Sequence, residues 1–479
     1  MRTGWAFKLF IGTCWLAACA SDGETAGGAG APAAGTASGT GGMGGSGGDP
    51  AADSWTMMGG DSRNTYFNRA ETKLSPRNAA MLKEKWRFSV TGWPPGSPLI
   101  AEGKVFVMAT GGTYAIDLQT GTMIWARTDL QGTASMAYHD GAVFVHDNSA
   151  DVYKLNASDG SNIWGPTRSN MQVGCDGTSS PIVANGKVVV GHSCGVLEVT
   201  AGYTAARGGV AAIDEQSGMK LWTYYTVPES GENGAMVWSS VAIDTQTSTV
   251  FASTGNNYSV AGPSSDAIHA IDLMTGTKRW VKQVRENDIW SLQGNPRGDD
   301  TDFGANPILA EVDGKPVVAA GDKGSVFWML DRETGDILWS RDKLSASHSQ
   351  ANGGVLMNGA FDGKFFYALA NDPAASKSVL LKLDPTKMGA DGWAPKTFDK
   401  ITWGAPALAN GLLVAPINDD LLVLNAETAE VLAQFATGGT IAAGAPAIAN
   451  GVIVVGSGMQ YVFGGNTALN NNQVICYGL

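Results

Sequence analysis

The chain has 479 residues, room for two or three ordinary domains, and a net charge of −12, which argues against a nucleic-acid partner because basic patches supply most of that affinity. Only 16% of the residues are charged, while 64 glycines and 15 tryptophans point to many tight turns with recurrent aromatic anchors. The five histidines, His139, His146, His192, His269 and His348, include no close pair at ligand spacing, so zinc or haem chemistry built on histidine is not expected.

The first element is a targeting segment. Arg2 and Lys8 supply positive charge, an apolar stretch runs from Leu9, and the segment closes on Leu16-Ala17-Ala18-Cys19. A small-residue site ending in Cys is what a bacterial lipoprotein signal needs, with Cys19 taking the lipid; an ordinary secretory signal cut nearby is the other reading. Ala20 and Ser21 follow, with no Asp beside the lipid, which favours the outer membrane, on its periplasmic or exterior side. From Ala20 to Ala52 the sequence is almost free of large apolar side chains. Such a segment reads as a flexible tether with a reach of roughly 30 Å. No other stretch is apolar and long enough to span a bilayer, so membrane contact is expected through the anchor only, and the folded domain over 53–479.

One phrase then recurs: alternating apolar residues, an Asp or Asn, a Thr-Gly-like turn, and a tryptophan. It runs from Tyr114 through Asp117 and Thr120-Gly121 to Trp125, and returns at Val152–Trp164, Val210–Trp222, Ile268–Trp280 and Val326–Trp339. Weaker copies centre on Asp384 and Asn425, and a half-copy, Val474-Ile475-Cys476-Tyr477, ends the chain. Between them lie Pro-led strands such as Pro98–Val107, Pro181–Val190, Pro406–Val414 and Pro446–Val455. Period-two alternation split by glycine turns means antiparallel strands. Eight copies of a four-stranded unit describe an all-β, eight-bladed β-propeller. The last copy stops in mid-blade and Trp86-Arg87-Phe88 lacks partners, so the two ends are expected to share one blade and close the ring. Cys175 and Cys194 flank the hairpin turning at Asn185-Gly186 almost symmetrically, which predicts a disulfide in an exported protein. Cys476, in the closing strand, reads as a buried free thiol.

The repeat Asp-x-x-Thr-Gly-x-x-x-Trp resembles the tryptophan-docking motif of the pyrroloquinoline-quinone (PQQ) dehydrogenases. So do Arg207-Gly208-Gly209 running on to Asp214, Val237-Trp238-Ser239-Ser240, Thr254-Gly255-Asn256-Asn257, Asp302-Phe303-Gly304 and Gly321-Asp322-Lys323-Gly324. The resemblance is nearest to the polyvinyl-alcohol-dehydrogenase branch and covers nearly all of the chain after Trp55. It implies PQQ- and calcium-dependent oxidation of a secondary or polymeric alcohol. In that scheme Trp238 is the indole on which the quinone stacks, and Glu198, Asn256 and Asp302 offer oxygens to the calcium ion. Asp302 is also the general base, Lys323 hydrogen-bonds the quinone oxygens, and Thr178 and Glu198 complete the cofactor contacts.

The pattern is not complete. Where the family places a Glu before the first Pro-led strand and an Arg in the second blade, this chain has Pro95 and Ala134. No Cys-x-x-Cys-His is present, so electrons would leave to a separate acceptor such as a cytochrome c. The residues also admit a structural reading: Trp238 as one more blade-packing tryptophan, Asn256 as a turn cap, Asp299-Asp300 and Asp302 as a solvated run, and Lys323 as an exposed turn residue. Asp300 is the alternative base, and Glu198 is separated from Arg207 by a longer segment than the family has. A rival function follows: a lipoprotein propeller without cofactor, acting as a scaffold or binding module.

Overall fold

The computed structural model describes residues 51–172, 174–194, 206–291, 298–347, 352–459 and 469–479. The predicted signal, most of the tether and Cys19 lie outside the described residues. Among the described residues eight sheets follow one another along the chain, six with four strands and two with five, antiparallel throughout except where Phe67–Asn68 joins Ala407–Ala409 in parallel. This is the eight-bladed propeller that the repeats predict. Among the described residues two short 3₁₀ turns lie between the strands, Ala79–Met81 and Pro385–Lys387. Among the described residues no helix is long and apolar enough to cross a membrane.

In blade 1, burial falls from the axis outward. The innermost strand of blade 1, Leu99–Ala101, is buried throughout, as is nearly all of the next, Lys104–Ala109. The outermost, Met123–Arg127, is largely exposed and buries Trp125. That tryptophan leaves its own blade. Its ring lies over Gly160 of blade 2, where an added Cβ would come within 2.8 Å of it, and its Nε1–H donates to Ala157 O at 3.1 Å. The same contact links Trp86 to Gly121 and Leu118, Trp164 to Gly218 and Glu215, and Trp222 to Gly276 and Leu273. Each receiving turn is built by its Asp or Asn. Asp117 Oδ1, for example, accepts from the backbone N–H groups of Gln119 and Thr120 and from the Thr120 hydroxyl, and Gly121 supplies the required φ of 70°. The repeat therefore specifies both a turn and the docking surface for its neighbour.

The ends of the chain close the ring as expected. Lys83–Ser89 pairs antiparallel with Gln473–Gly478 as the outer strand of blade 8, with Trp86 opposite Cys476 and Phe88 opposite Val474. Cys476 is a buried free thiol, and burial pushes its pKa up to about 12.

Sequence periodicity gave no sign of what fills the axis. Residues 52–68 run around one end of the central channel and touch every blade. Trp55 exchanges hydrogen bonds with Ile100, and the carbonyls of Thr56, Ser62, Arg63, Thr65 and Tyr66 accept from Tyr138, Ile243, Leu309, Phe361 and Leu408. Asn68 Nδ2 donates to Ile448 O of blade 8, and the Ser180 hydroxyl of blade 3 lies 3.3 Å from Met58 Sδ. Just above this plug, blades are stitched side chain to backbone. The N–H of Ser97 donates to Ser135 Oγ, Ser135 to Ser180 Oγ, Ser180 to Ser240 Oγ, and Ser240 to Asn306 Oδ1, at 2.7 to 3.0 Å. These bonds satisfy buried backbone donors at the strand starts and close the channel below the cavity.

Candidate active site

The cavity lies on the propeller axis. It has a volume of about 430 Å³, takes lining residues from just before the innermost strand of every blade, and has Met58 at its floor. One wall is apolar: Trp93, Leu356, Trp403 and Met459 pack together there. Another is polar and charged, and it gathers Trp238, Asn256, Asp302, Lys323 and Thr178 into one space. Glu198 lies outside the described residues.

Trp238 is not a docking tryptophan. It belongs to the loop leading into the innermost strand of blade 4, Ala242–Asp244, and its ring edge rests on Gly304, where a Cβ would come 2.6 Å from Cη2. Gly255 is needed for the same reason: a Cβ there would meet Asp302 Oδ2 at 2.8 Å and Trp238 Nε1 at 3.3 Å. Glycines at these two positions let the base candidate and the indole approach each other closely.

Asp300 and Asp302 are both buried, only 2% exposed, and do not form a solvated loop. Lys323 Nζ lies 3.0 Å from Asp300 Oδ1 and 2.7 Å from Asp302 Oδ1, and 5.3 Å from the Trp238 ring centre. Burial works against the charge on Lys323, and the two carboxylates overcome it, so its pKa is raised. Burial pushes the Asp300 carboxyl upward, with Lys323 opposing and Asp302 adding to the shift. Lys323 is fixed in turn. Its own N–H donates to Asp302 O, and the preceding Asp322 accepts from Arg285 Nε, Val326 N and Trp328 Nε1. Gly324 leaves room for the Arg285 guanidinium, which a Cβ would meet at 2.4 Å.

Asn256 is likewise buried. Its amide nitrogen donates to the backbone carbonyls of Asn257 and Trp290, a geometry that leaves the amide oxygen as the group available for a ligand. Thr178 donates its hydroxyl to Asp176. Asp176, a half-hidden carboxyl on the cavity wall that sequence reasoning passed over, has its pKa raised by burial. The one signal for it was its position next to Cys175. Cys175 and Cys194 are joined in a disulfide, and they pack with Met236 against Trp238 and Tyr258. Asp176 and Ser193 bridge beside the link, so it braces the wall that carries Thr178. Replacing both cysteines by Ser is expected to lower the unfolding free energy by about 3 kcal/mol, the loop-closure value for 19 residues; denaturant titration with and without reductant checks this.

Buried carboxyls outnumber cations here. Asp266, Asp288, Asp300, Asp302 and Asp322 are all buried, and among the described residues the cations paired with them are the half-buried Arg285, on Asp322, and the buried Lys323, on Asp300 and Asp302. Asn256 and Asp302 carry oxygens of the kind a hard cation takes, while among the described residues no three His, Cys, Asp or Glu side chains gather as a metal-ligating group. The exposed indole face with a lysine above it fits a planar aromatic acceptor bearing oxygens. Pro95 lines the cavity and Ala134 is buried, while Thr133 and Ser135 bring hydroxyls to that side. Hydroxyls thus stand near the positions where charged contacts were expected.

Residues 55–358 match the family model described as PQQ: glucose/ethanol/alcohol dehydrogenase, β-propeller domain. The chain is 27% identical over 383 residues to a polyvinylalcohol dehydrogenase of Pseudomonas sp., covering 71% of this chain and 59% of that protein. A polyvinylalcohol dehydrogenase of Sphingopyxis sp. (strain 113P3) matches at 27% over 368 residues, 68% of this chain and 55% of its own length. The chain thus spans less than two thirds of these relatives. A quinohemoprotein alcohol dehydrogenase of Pseudomonas putida HK5 shares the fold, with a TM-score of 0.75 at 18% identity over 90% of this chain and 80% of that one.

Proposed function

Because the chain belongs to the PQQ family of glucose/ethanol/alcohol dehydrogenase β-propellers, we propose that it oxidises a secondary or polymeric alcohol with PQQ and calcium in the axial cavity. The observation that carries this reading is the meeting of Asp302 and Lys323 beside Trp238 in one buried space. PQQ, when bound, supplies a two-electron acceptor for the alcohol's hydride, and calcium polarises its reactive carbonyl. Trp238 presents the stacking face. Asn256 and Asp302 offer oxygens to the calcium ion, with Glu198 as the third donor. Asp302 takes the proton of the substrate hydroxyl, and Lys323 keeps a fixed positive charge where negative charge grows. The Trp93, Leu356 and Trp403 wall excludes water and receives the apolar part of the alcohol. Electrons leave to a separate carrier such as a cytochrome c. On the sequence of the first nineteen residues, the propeller is held to the outer membrane through a lipid on Cys19.

Binding tests the reading directly. PQQ with calcium is expected to quench the protein's tryptophan fluorescence saturably, and Trp238→Ala to weaken binding by about 2 kcal/mol, roughly thirtyfold in Kd. Equal affinity in the two proteins would remove Trp238 from the cofactor site.

A further inference from the structure

The axial cavity has two unlike walls. Thr178, Asn256, Asp302 and Lys323 stand on loops of blades 3, 4 and 5. Facing the same space, blades 1, 6, 7 and 8 contribute Trp93, Leu356, Met357, Trp403, Ala442 and Met459, packed as one apolar cluster that also touches Trp238. The side chains of this cluster hold two indole N–H donors and no oxygen, and thioether sulfur is a weak acceptor. Of the lining amides from blade 6, Asn358 already accepts from Asn306 N, and Asn352 has a partner of its own.

One indole joins the two walls. A Cβ at Gly255 would meet Asp302 Oδ2 at 2.8 Å and Trp238 Nε1 at 3.3 Å. A Cβ at Gly304 would meet Trp238 Cη2 at 2.6 Å and Leu356 O at 2.4 Å. Asp302 therefore stands at the nitrogen edge of Trp238 and Leu356 at its far, benzene edge. A molecule whose hydroxyl meets Asp302 has the apolar wall within reach of its carbon substituent.

The cavity is also blind and small. Met58 and the run of bonds from Ser97 to Asn306 close it below, so a polymer cannot thread through and offers at most a chain end. Its volume of about 430 Å³ lies toward the lower end of small-molecule sites, roughly 300–1,000 Å³, and a quinone would share that space. Each CH₂ group covered by the wall favours binding about fourfold. A second hydroxyl pressed against the same wall loses its water and finds no side-chain oxygen to accept its proton, a penalty of about tenfold or more.

Resting on the reading of this cavity as an alcohol-oxidising site, we propose that it selects a compact alcohol with one hydroxyl and an apolar substituent, and rejects polyhydroxylated and polymeric alcohols. Leu356 and Met459 determine that specificity, because each presents hydrocarbon or thioether where a polyol needs hydrogen-bond partners.

Calorimetric titration of the full chain without cofactor reads the wall apart from the chemistry. Across secondary alcohols of four, six and eight carbons, affinity is expected to rise about fourfold per CH₂ with a negative heat-capacity change. The six-carbon diol should bind about tenfold or more weakly than the six-carbon alcohol. With PQQ and calcium added, kcat/KM should follow the same order, and polyvinyl alcohol should not compete with the six-carbon alcohol. Leu356→Asn, which puts an amide into the wall, should narrow the gap between alcohol and diol by about fivefold or more. Met459→Gln repeats the test from blade 8 if the first variant does not fold. Equal affinity for alcohol and diol in the unaltered chain, or effective competition by polyvinyl alcohol, overturns the proposal. A binding order as expected with no alcohol oxidised would instead count against the proposed function and leave the selectivity of the wall standing.

Discussion

Asp302→Asn is expected to lower kcat for alcohol oxidation by about 10²- to 10⁴-fold, the usual contribution of a positioned general base, while the protein stays folded. The substitution keeps the side chain's shape and one oxygen for the cation but removes the proton acceptor. Asp302 is buried between Lys323 and Gly255, so no water molecule in bulk solvent replaces it without a rearrangement of that wall. Its main-chain carbonyl continues to hold the Lys323 N–H, and the loop should keep its course. Steady-state dye reduction with a panel of secondary alcohols, together with calcium binding to the same variant, separates loss of the base from loss of the metal. Asp300→Asn serves as the control, because Asp300 shares the cavity and the same lysine. If Asp300→Asn is the inactive variant and Asp302→Asn is not, the base is two residues earlier in the loop.

Lys323→Met is expected to damage both stability and turnover. The lysine is 8% exposed, and its loss leaves Asp300 and Asp302 buried together without their cation. Removing one partner of a buried ion pair costs about 3–5 kcal/mol, which urea unfolding at neutral pH should register as a lower midpoint. Proton uptake by Asp300, whose carboxyl burial already pushes upward, relieves part of this. An acid with a raised folded pKa binds more protons folded than unfolded, so the variant should lose stability as pH rises. Turnover should fall by about 10²- to 10³-fold, the usual effect of deleting a preorganised charge-stabilising donor. Normal stability at neutral pH would mean that the pair makes no net contribution to the fold.

The propeller was legible because its signals are local and repeated. Asp117, Gly121 and Trp125 are close in sequence, and each has a conformational or docking task that residue type alone reveals. The shared last blade was equally legible, since Trp86-Arg87-Phe88 and Val474–Tyr477 were two halves without partners. The site was only partly so. Trp238, Asn256, Asp302 and Lys323 sit in four different loops, and only closure of the ring brings them together; their order along the chain marked them, while spacing could not. Lys323 looked like a surface turn residue because Gly324 follows it, yet that glycine is there to admit Arg285. The plug at 52–68 carries no periodic pattern, since it contacts most blades through its backbone. Asp266 and Asp288 were invisible for another reason: a buried acid has no sequence signature until the fold covers it.

The central claim is that the axial cavity oxidises alcohols with a bound quinone. It is tested most directly by a single-turnover experiment on the purified full chain loaded with PQQ and calcium. With no electron acceptor added, one equivalent of carbonyl product per cofactor site is predicted from a secondary alcohol, and none from Asp302→Asn. A folded chain that binds no PQQ, or binds it and yields no product from any alcohol in the panel, would contradict the account.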